Sequence, residues 1–191
     1  MKLVVGMTGA TGAAIGIRLL TALKQLDVET HLVISKWARA TIQLETPYSV
    51  QDVIALASKC YSEHDQAAAI SSGSFRVDGM VIVPCSMKTL AAIRCGYGDG
   101  LIARAADVTL KEQRKLVLVP RESPLNAIHL DNMLALARAG AMMLPPMPAF
   151  YNHPASIDNI INHFVSRILD QFGLDNHLTQ RWGEPRATHT A

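Results

Sequence analysis

Little in this sequence points to a disulfide scaffold, a metal, a membrane or a nucleic acid. The only cysteines, Cys60, Cys85 and Cys95, are odd in number and fit no C-x-x-C spacing. That excludes a disulfide framework and leads us to expect a reduced, cytoplasmic chain. The seven histidines include no H-E-x-x-H or similar arrangement, so no metal site is expected. Eighteen basic and 16 acidic residues leave a net charge of +2. They form no Lys/Arg-rich run that would track a nucleic acid or lay a helix on a membrane. No uninterrupted apolar stretch is long enough to span a bilayer. The opening MKLVVGMTGATGA runs straight into a Gly/Thr loop, without the h-region and cleavage site of a secretory signal. Repeats, low-complexity tracts and a domain linker are also missing.

What is present is 191 residues, 49% of them hydrophobic, enough for one domain with its own core. Five short apolar runs, residues 3–5, 31–34, 80–83, 116–119 and 141–144, read as strands. They do not alternate with polar residues, as expected of a parallel sheet covered on both faces. Helical patterns lie between them. After Gly12, the residues Ile15, Leu19, Leu20, Leu23 and Leu26 share a face. A second helix through Trp37, Ala38 and Ile42 must stop near Glu45, because Pro47 disfavours helix at Thr46. Further helices are expected over 88–95, from Leu101 to Gln113, and over 129–139 with Gly140 after the end. The last starts from Ser156 as N-cap and carries the stripe Ile157, Ile160, Ile161, Phe164, Val165, Ile168, Leu169 and Phe172 up to Gly173. A polar tail, TQRWGEPRATHTA, follows from Thr179 and is expected to be loosely held unless a partner covers it. The reading is one domain over 1–178 and a tail over 179–191. Its fold class is an α/β three-layer sandwich with a parallel sheet, whose ligands bind beyond the carboxyl ends of the strands.

Those strand ends carry the polar residues. GMTGATG after the first strand lets the backbone turn tightly and approach a ligand, and the helix behind it offers N–H groups to an anion. A plain tight turn explains it as well. It is not G-x-G-x-x-G, and the second strand ends in Ser35-Lys36 without a ribose-binding acid, which argues against NAD. PCSMKTL supplies Ser86, Lys88 and Thr89 at another helix start, though N-capping by Ser86 alone accounts for it. Cys85 reads as a buried small side chain, since no partner histidine is identifiable. Arg104 and Lys111, seven apart, read by spacing as a solvated helix face. Arg121-Glu122 follows a buried strand: the Arg can hold a phosphate bidentately and the carboxylate can orient it or move a proton, or the two form a strand-end salt bridge. Tyr151 follows the fifth strand. Arg167 sits at the edge of the last stripe, facing a site or interface, or snorkelling along the flank. Glu45 alone reads as a surface carboxylate.

Taken in order, GMTGATGA, HLVISK, LETP, SSGSF, PCSMKTL, RAADVTLKE, LVLVPRESPL, HLDNMLALARAGAMMLPPMPAFY and SRILDQFG resemble the UbiX-type flavin prenyltransferases. VETHLVISKWARA with the VPRE and PAFY motifs is similar to the branch of aromatic and phenolic acid decarboxylase small subunits. The resemblance covers nearly the whole chain short of the tail. It implies a Rossmann-like (flavodoxin-like) fold and an enzyme that joins a dimethylallyl group from dimethylallyl phosphate to N5 and C6 of reduced FMN. The product, prenylated FMN, serves a UbiD-type decarboxylase. By the same resemblance Gly9, Ala10, Thr11, Ser35, Ser86, Met87, Lys88, Thr89 and Arg121 bind FMN. Lys111, Glu122, Tyr151 and Arg167, with Thr11, hold the prenyl phosphate. Glu45 assists ring closure with Arg104 nearby, and Trp182 covers the site. The family assembles as a dodecamer with each site lined by several subunits, which would cover the apolar run MMLPPMPAFY. Thr11 stands where relatives often carry Ser, and Met87-Lys88 where some carry smaller residues.

The chemistry agrees. Breaking an allylic C–O bond leaves a phosphate dianion and an allyl cation. Lys and Arg donors stabilise the first and aromatic faces the second, so no metal is required. Three alternatives remain: an FMN-dependent decarboxylase of the cysteine-oxidising type, a non-catalytic flavin carrier, and an aromatic-acid decarboxylase acting alone.

Overall fold

The computed structural model describes residues 1–183; the expectation of a loosely held tail lies, from residue 184 on, outside them. The chain forms two compact units, Met1–Pro146 and Met147–Ala191. The first is built on six strands: β1 (Lys2–Met7), β2 (Glu29–Ile34), β3 (Lys59–Tyr61), β4 (Gly79–Cys85), β5 (Lys115–Pro120) and β6 (Met142–Met143). All pairings are parallel, in the order β3-β2-β1-β4-β5-β6. Val4 of β1 stands between His31 of β2 and Met80 of β4. Leu3, Val5, Leu32, Val33, Met80, Val81, Ile82, Leu116 and Leu118 are inaccessible to solvent. Successive residues point to opposite faces, so burial of both parities requires cover on each side. Each such side chain contributes about 1.5–3 kcal/mol.

The first unit carries six α-helices, five of which follow the expected pattern closely. They are α1 (Ala13–Gln25), α2 (Lys36–Glu45), α3 (Val50–Ile54), α4 (Met87–Arg94), α5 (Leu101–Lys111) and α6 (Ala127–Arg138). α2 stops at Glu45, one residue before the position that Pro47 disfavours for helix. Gly96 and Gly140 adopt left-handed φ values of 66° and 100° just past α4 and α6.

Three features depart from expectation. β3 is an additional edge strand of only three residues, too short to show a period. α3 is a further short helix, started by a reciprocal cap between Ser49 and Asp52. Leu26 leaves the buried face of α1 because the helix ends at Gln25, and Leu26 becomes its exposed C-cap.

The second unit contains α7 (Ile157–Gln171). Ser156 caps it, its hydroxyl accepting from Asn159 N at 3.2 Å, and Gly173 with φ 68° follows its end. Val165, Ser166, Ile168 and Leu169 are buried, whereas Ile157 at the first turn is 76% exposed.

Candidate functional site

The strand order reverses direction at β1. Chain connections from β1 lead to β2 on one side and, after β3, to β4 on the other, which opens a crevice at the carboxyl ends of the two central strands. Thr8 braces its floor. The buried Thr8 hydroxyl donates to Pro84 O at 2.7 Å and accepts from Ser86 N at 2.8 Å, fastening the loop after β1 to the loop after β4. Gly9 is packed so tightly against α2 that a Cβ would stand 2.3 Å from Trp37 Cβ.

A cavity of about 480 Å³ opens there, within the range of small-molecule sites. Gly9, Ser35, Ser86, Lys88 and Thr89 line it together. Both serines are N-caps: Ser35 Oγ accepts from Ala38 N at 3.1 Å and Ser86 Oγ from Thr89 N at 3.3 Å. Two helix N-termini and two exposed lysines, Lys36 and Lys88, therefore converge on one pocket, an arrangement suited to an anion.

Other expected residues lie outside the cavity lining. Ala10 and Thr11 sit on the loop after β1, and Met87 is the first residue of α4. Arg121 and Glu122 follow β5, both exposed; Arg121 N donates to Cys85 O at 3.2 Å, and Glu122 Oε1 accepts from Ser123 N at 3.1 Å. Glu45 is not a free surface carboxylate: its Oε2 accepts from Gly12 N at 2.9 Å and Ala13 N at 3.0 Å. Gly12, with φ 109°, has no side chain to cap α1, so the N–H groups that the sequence offered to an anion are held by Glu45. Lys111 ends α5, whose first residues Leu101–Ala103 line the cavity. Eight residues of helix beyond Ala103 place Lys111 about 12 Å away along the axis. Arg104 is engaged with Ser71 O at 3.1 Å and Asp107 Oδ2 at 2.8 Å.

Tyr151, Arg167 and Trp182 belong to the second unit. The Tyr151 ring makes edge-to-face contacts with His163 at 5.9 Å and Trp182 at 5.1 Å. Arg167 is exposed and bonds Asp170 Oδ2 at 2.8 Å. Burial, then the nearby Arg167 charge, pushes the His163 pKa down.

Thr8 and Lys36, which lie in the strand-end motifs GMTGATG and HLVISK, also line the cavity, whereas sequence reasoning missed Trp37, Glu63, His64, Tyr97 and Asp99 there. Glu63 and His64 follow β3, so overlooking that strand hid its loop. Cys85 is fully buried and burial pushes its thiol up to about 12, leaving no thiolate to act as nucleophile. Among the described residues no group of His, Cys, Asp or Glu is placed to hold a metal ion, and no helix is long and apolar enough to cross a membrane.

A parallel α/β sheet with an anion-suited cavity where its strand order reverses defines a flavodoxin-like ligand-binding fold. Residues 1–169 match the family described as Flavoprotein. A probable UbiX-like flavin prenyltransferase of Escherichia coli O157:H7 is 66% identical over 189 residues, 98% of this chain and 96% of the relative. The crystal structure of a dodecameric FMN-dependent UbiX-like decarboxylase from the same organism superposes with a TM-score of 0.95 at 66% identity, covering 96% of this chain and all of that one. That of AnUbiX in complex with FMN and dimethylallyl pyrophosphate gives 0.95 at 57% identity, covering 97% and 98%. The chain belongs to the flavoprotein family and, within it, to the UbiX-like flavin prenyltransferases.

Proposed function

We propose that this protein is a flavin prenyltransferase that joins a dimethylallyl group from dimethylallyl phosphate to N5 and C6 of reduced FMN. The observation that carries this reading is the cavity at the strand-order reversal, in a chain 57% identical to a protein solved with FMN and a dimethylallyl donor. The residues present fit FMN: Ser35, Ser86, Lys88 and Thr89 supply hydroxyl, ammonium and helix N-terminal donors, and Gly9 lets the loop after β1 pack directly against Trp37 in the cavity wall. FMN supplies the nucleophilic ring on which the new bonds form. Ala10, Thr11, Met87 and Arg121 are assigned to the same ligand through their loops, Glu122 to a proton on the departing phosphate, and Glu45 to protons on the flavin.

Lys111 is assigned to the prenyl phosphate from a second copy of the chain, because about 12 Å of α5 separates it from its own cavity. Tyr151 and Arg167 are assigned to the same phosphate. Exposed apolar side chains support assembly: Ile128 and Leu130 on α6 are 68% and 52% exposed, and Met147 and Phe150 of the second unit are at least 70% exposed. The assembly is a dodecamer like that of the E. coli relative, and its product serves a UbiD-type aromatic acid decarboxylase. The flavin-binding domain is assigned to 1–178, with 179–191 a tail. Three free thiols fit a cytoplasmic location.

The test is anaerobic incubation with reduced FMN and dimethylallyl phosphate, followed by mass spectrometry of the released flavin. A flavin heavier by one dimethylallyl unit is expected. Flavin of unchanged mass would overturn the assignment in favour of a carrier, and carbon dioxide release from an aromatic acid without a partner would favour a decarboxylase.

A further inference from the structure

Neighbouring residues on a helix point about 100° apart and do not face each other. Lys111 and Glu112 nevertheless meet: Lys111 Nζ donates to Glu112 Oε1. They can do so because α5 ends at Lys111. Glu112 is its C-cap, and Gln113 turns left-handed with φ 54°. Arg114 N then reaches back to Thr109 O at 2.9 Å. The reversal carries the Glu112 carboxylate under the lysine.

Residues 71–75, the SSGSF motif, form the other wall. Arg114 donates from Nη2 to Gly73 O at 2.7 Å and from Nη1 to Phe75 O at 3.0 Å, while Arg104 holds Ser71 O. The Arg114 guanidinium also stands 3.9 Å from Glu112 Oε2. A Cβ on Gly73 would lie 2.1 Å from Glu112 Oε1 and 2.8 Å from Lys111 Nζ. The ion pair therefore rests on a bare Cα, and a side chain at 73 would displace the Glu112 carboxylate and the Lys111 ammonium from these positions.

We infer that Glu112 is a positioning residue: seated on Gly73 and flanked by Arg114, it fixes the direction of the Lys111 ammonium toward the phosphate of the prenyl donor. This rests on the assignment of Lys111 to that phosphate. A lysine stem is flexible, and fixing it costs rotamer entropy. An ammonium already ordered before the donor arrives gives up less of it on binding. The hydrogen bond from Lys111, then its charge, holds the Glu112 carboxyl below the usual carboxylate range, so the pair stays ionised. Arg114 shares the carboxylate, which leaves part of the ammonium's charge for an incoming dianion.

The experiment compares Glu112→Gln, Gly73→Ala and Lys111→Ala, measuring KM and kcat for dimethylallyl phosphate, inhibition by inorganic phosphate, the FMN Kd and the oligomeric mass. The expected result is a donor KM and a phosphate Ki raised about ten-fold in Glu112→Gln and Gly73→Ala, with FMN affinity and assembly unchanged. An unchanged or lower KM in Glu112→Gln, alongside a raised KM in Lys111→Ala, overturns the positioning role and leaves the site assignment standing. Unchanged kinetics in Lys111→Ala overturns the assignment itself. Glu112→Gln keeps the size of the side chain and carries the test should Gly73→Ala fail to assemble.

Discussion

Glu45 Oε2 accepts the main-chain N–H of Gly12 at 2.9 Å, across 33 positions of sequence. The last residue of α2 thus serves as the N-terminal cap of α1, a duty that usually falls to a Ser, Thr, Asp or Asn beside the helix. One carboxylate tied to two helices is fixed in place at the edge of the loops that form the cavity floor.

The double duty of Glu45 separates by substitution. Glu45→Gln retains an acceptor oxygen for Gly12 and Ala13 and should keep stability within about 0.5 kcal/mol, while its loss of a carboxylate able to move a proton slows prenyl transfer at least ten-fold. Glu45→Ala loses both, with about 1 kcal/mol lower stability in urea titration. Equal turnover by Glu45→Gln and wild type would confine this residue to capping.

Glu63 joins two walls of the cavity. Its carboxylate accepts from Lys36 N at 2.7 Å at the start of α2, and its carbonyl accepts from Leu101 N at 2.8 Å at the start of α5. Removing a charged acceptor costs about 1.5–3 kcal/mol. Glu63→Ala should therefore weaken FMN binding about ten-fold or more, read by quenching of flavin fluorescence. Wild-type affinity would show that the walls hold without it.

Cys85 should be chemically silent. With its thiol pushed up to about 12 by burial, it should resist a thiol-reactive dye at pH 8 until the protein is denatured. Cys85→Ala should retain turnover within about three-fold, since only a small buried group is lost. Abolished turnover in a folded variant would return a thiol mechanism to consideration.

Asp170 ties the end of α7 to the chain that follows. Arg181 pairs with both its oxygens, at 2.7 and 3.0 Å, and Arg167 Nη1 bonds Oδ2 at 2.8 Å. Arg181 first, and Arg167 with it, holds this carboxyl below the usual range. A lowered native pKa stabilises the fold fully above the unfolded value of about 3.9, and the contribution disappears as pH falls through the native one. Melting curves of Asp170→Asn should lie below wild type at pH 7 and draw together with it as pH falls below the unfolded value and through the native one. Curves equally separated at both pH values would remove the ionic explanation.

The core of this fold was legible because burial on both faces leaves an unbroken apolar signature, as in VVGM, HLVI, MVIV and LVLV. Helix ends were legible where local chemistry sets them: Ser156 before α7, Gly140 after α6, Pro47 beyond α2. Lys59–Tyr61 was not, because three residues on a sheet edge need only one buried side chain, Tyr61. The pocket was half legible. Ser35 and Ser86 sit beside the strands that present them, whereas Glu45 and Glu63 take their meaning from Gly12 and Leu101, more than 30 positions away. No local pattern encodes such partners.

The length of α5 has a genetic consequence. If every catalytic centre borrows its lysine from a neighbour, a defect in the flavin cavity and a defect at Lys111 fall on different chains within one centre. Two variants, each dead as a pure assembly, would then complement one another when co-expressed. Mixed assemblies would contain some centres built from one intact cavity and one intact lysine. Inheritance of activity would follow the pairing of chains, not the soundness of any single one.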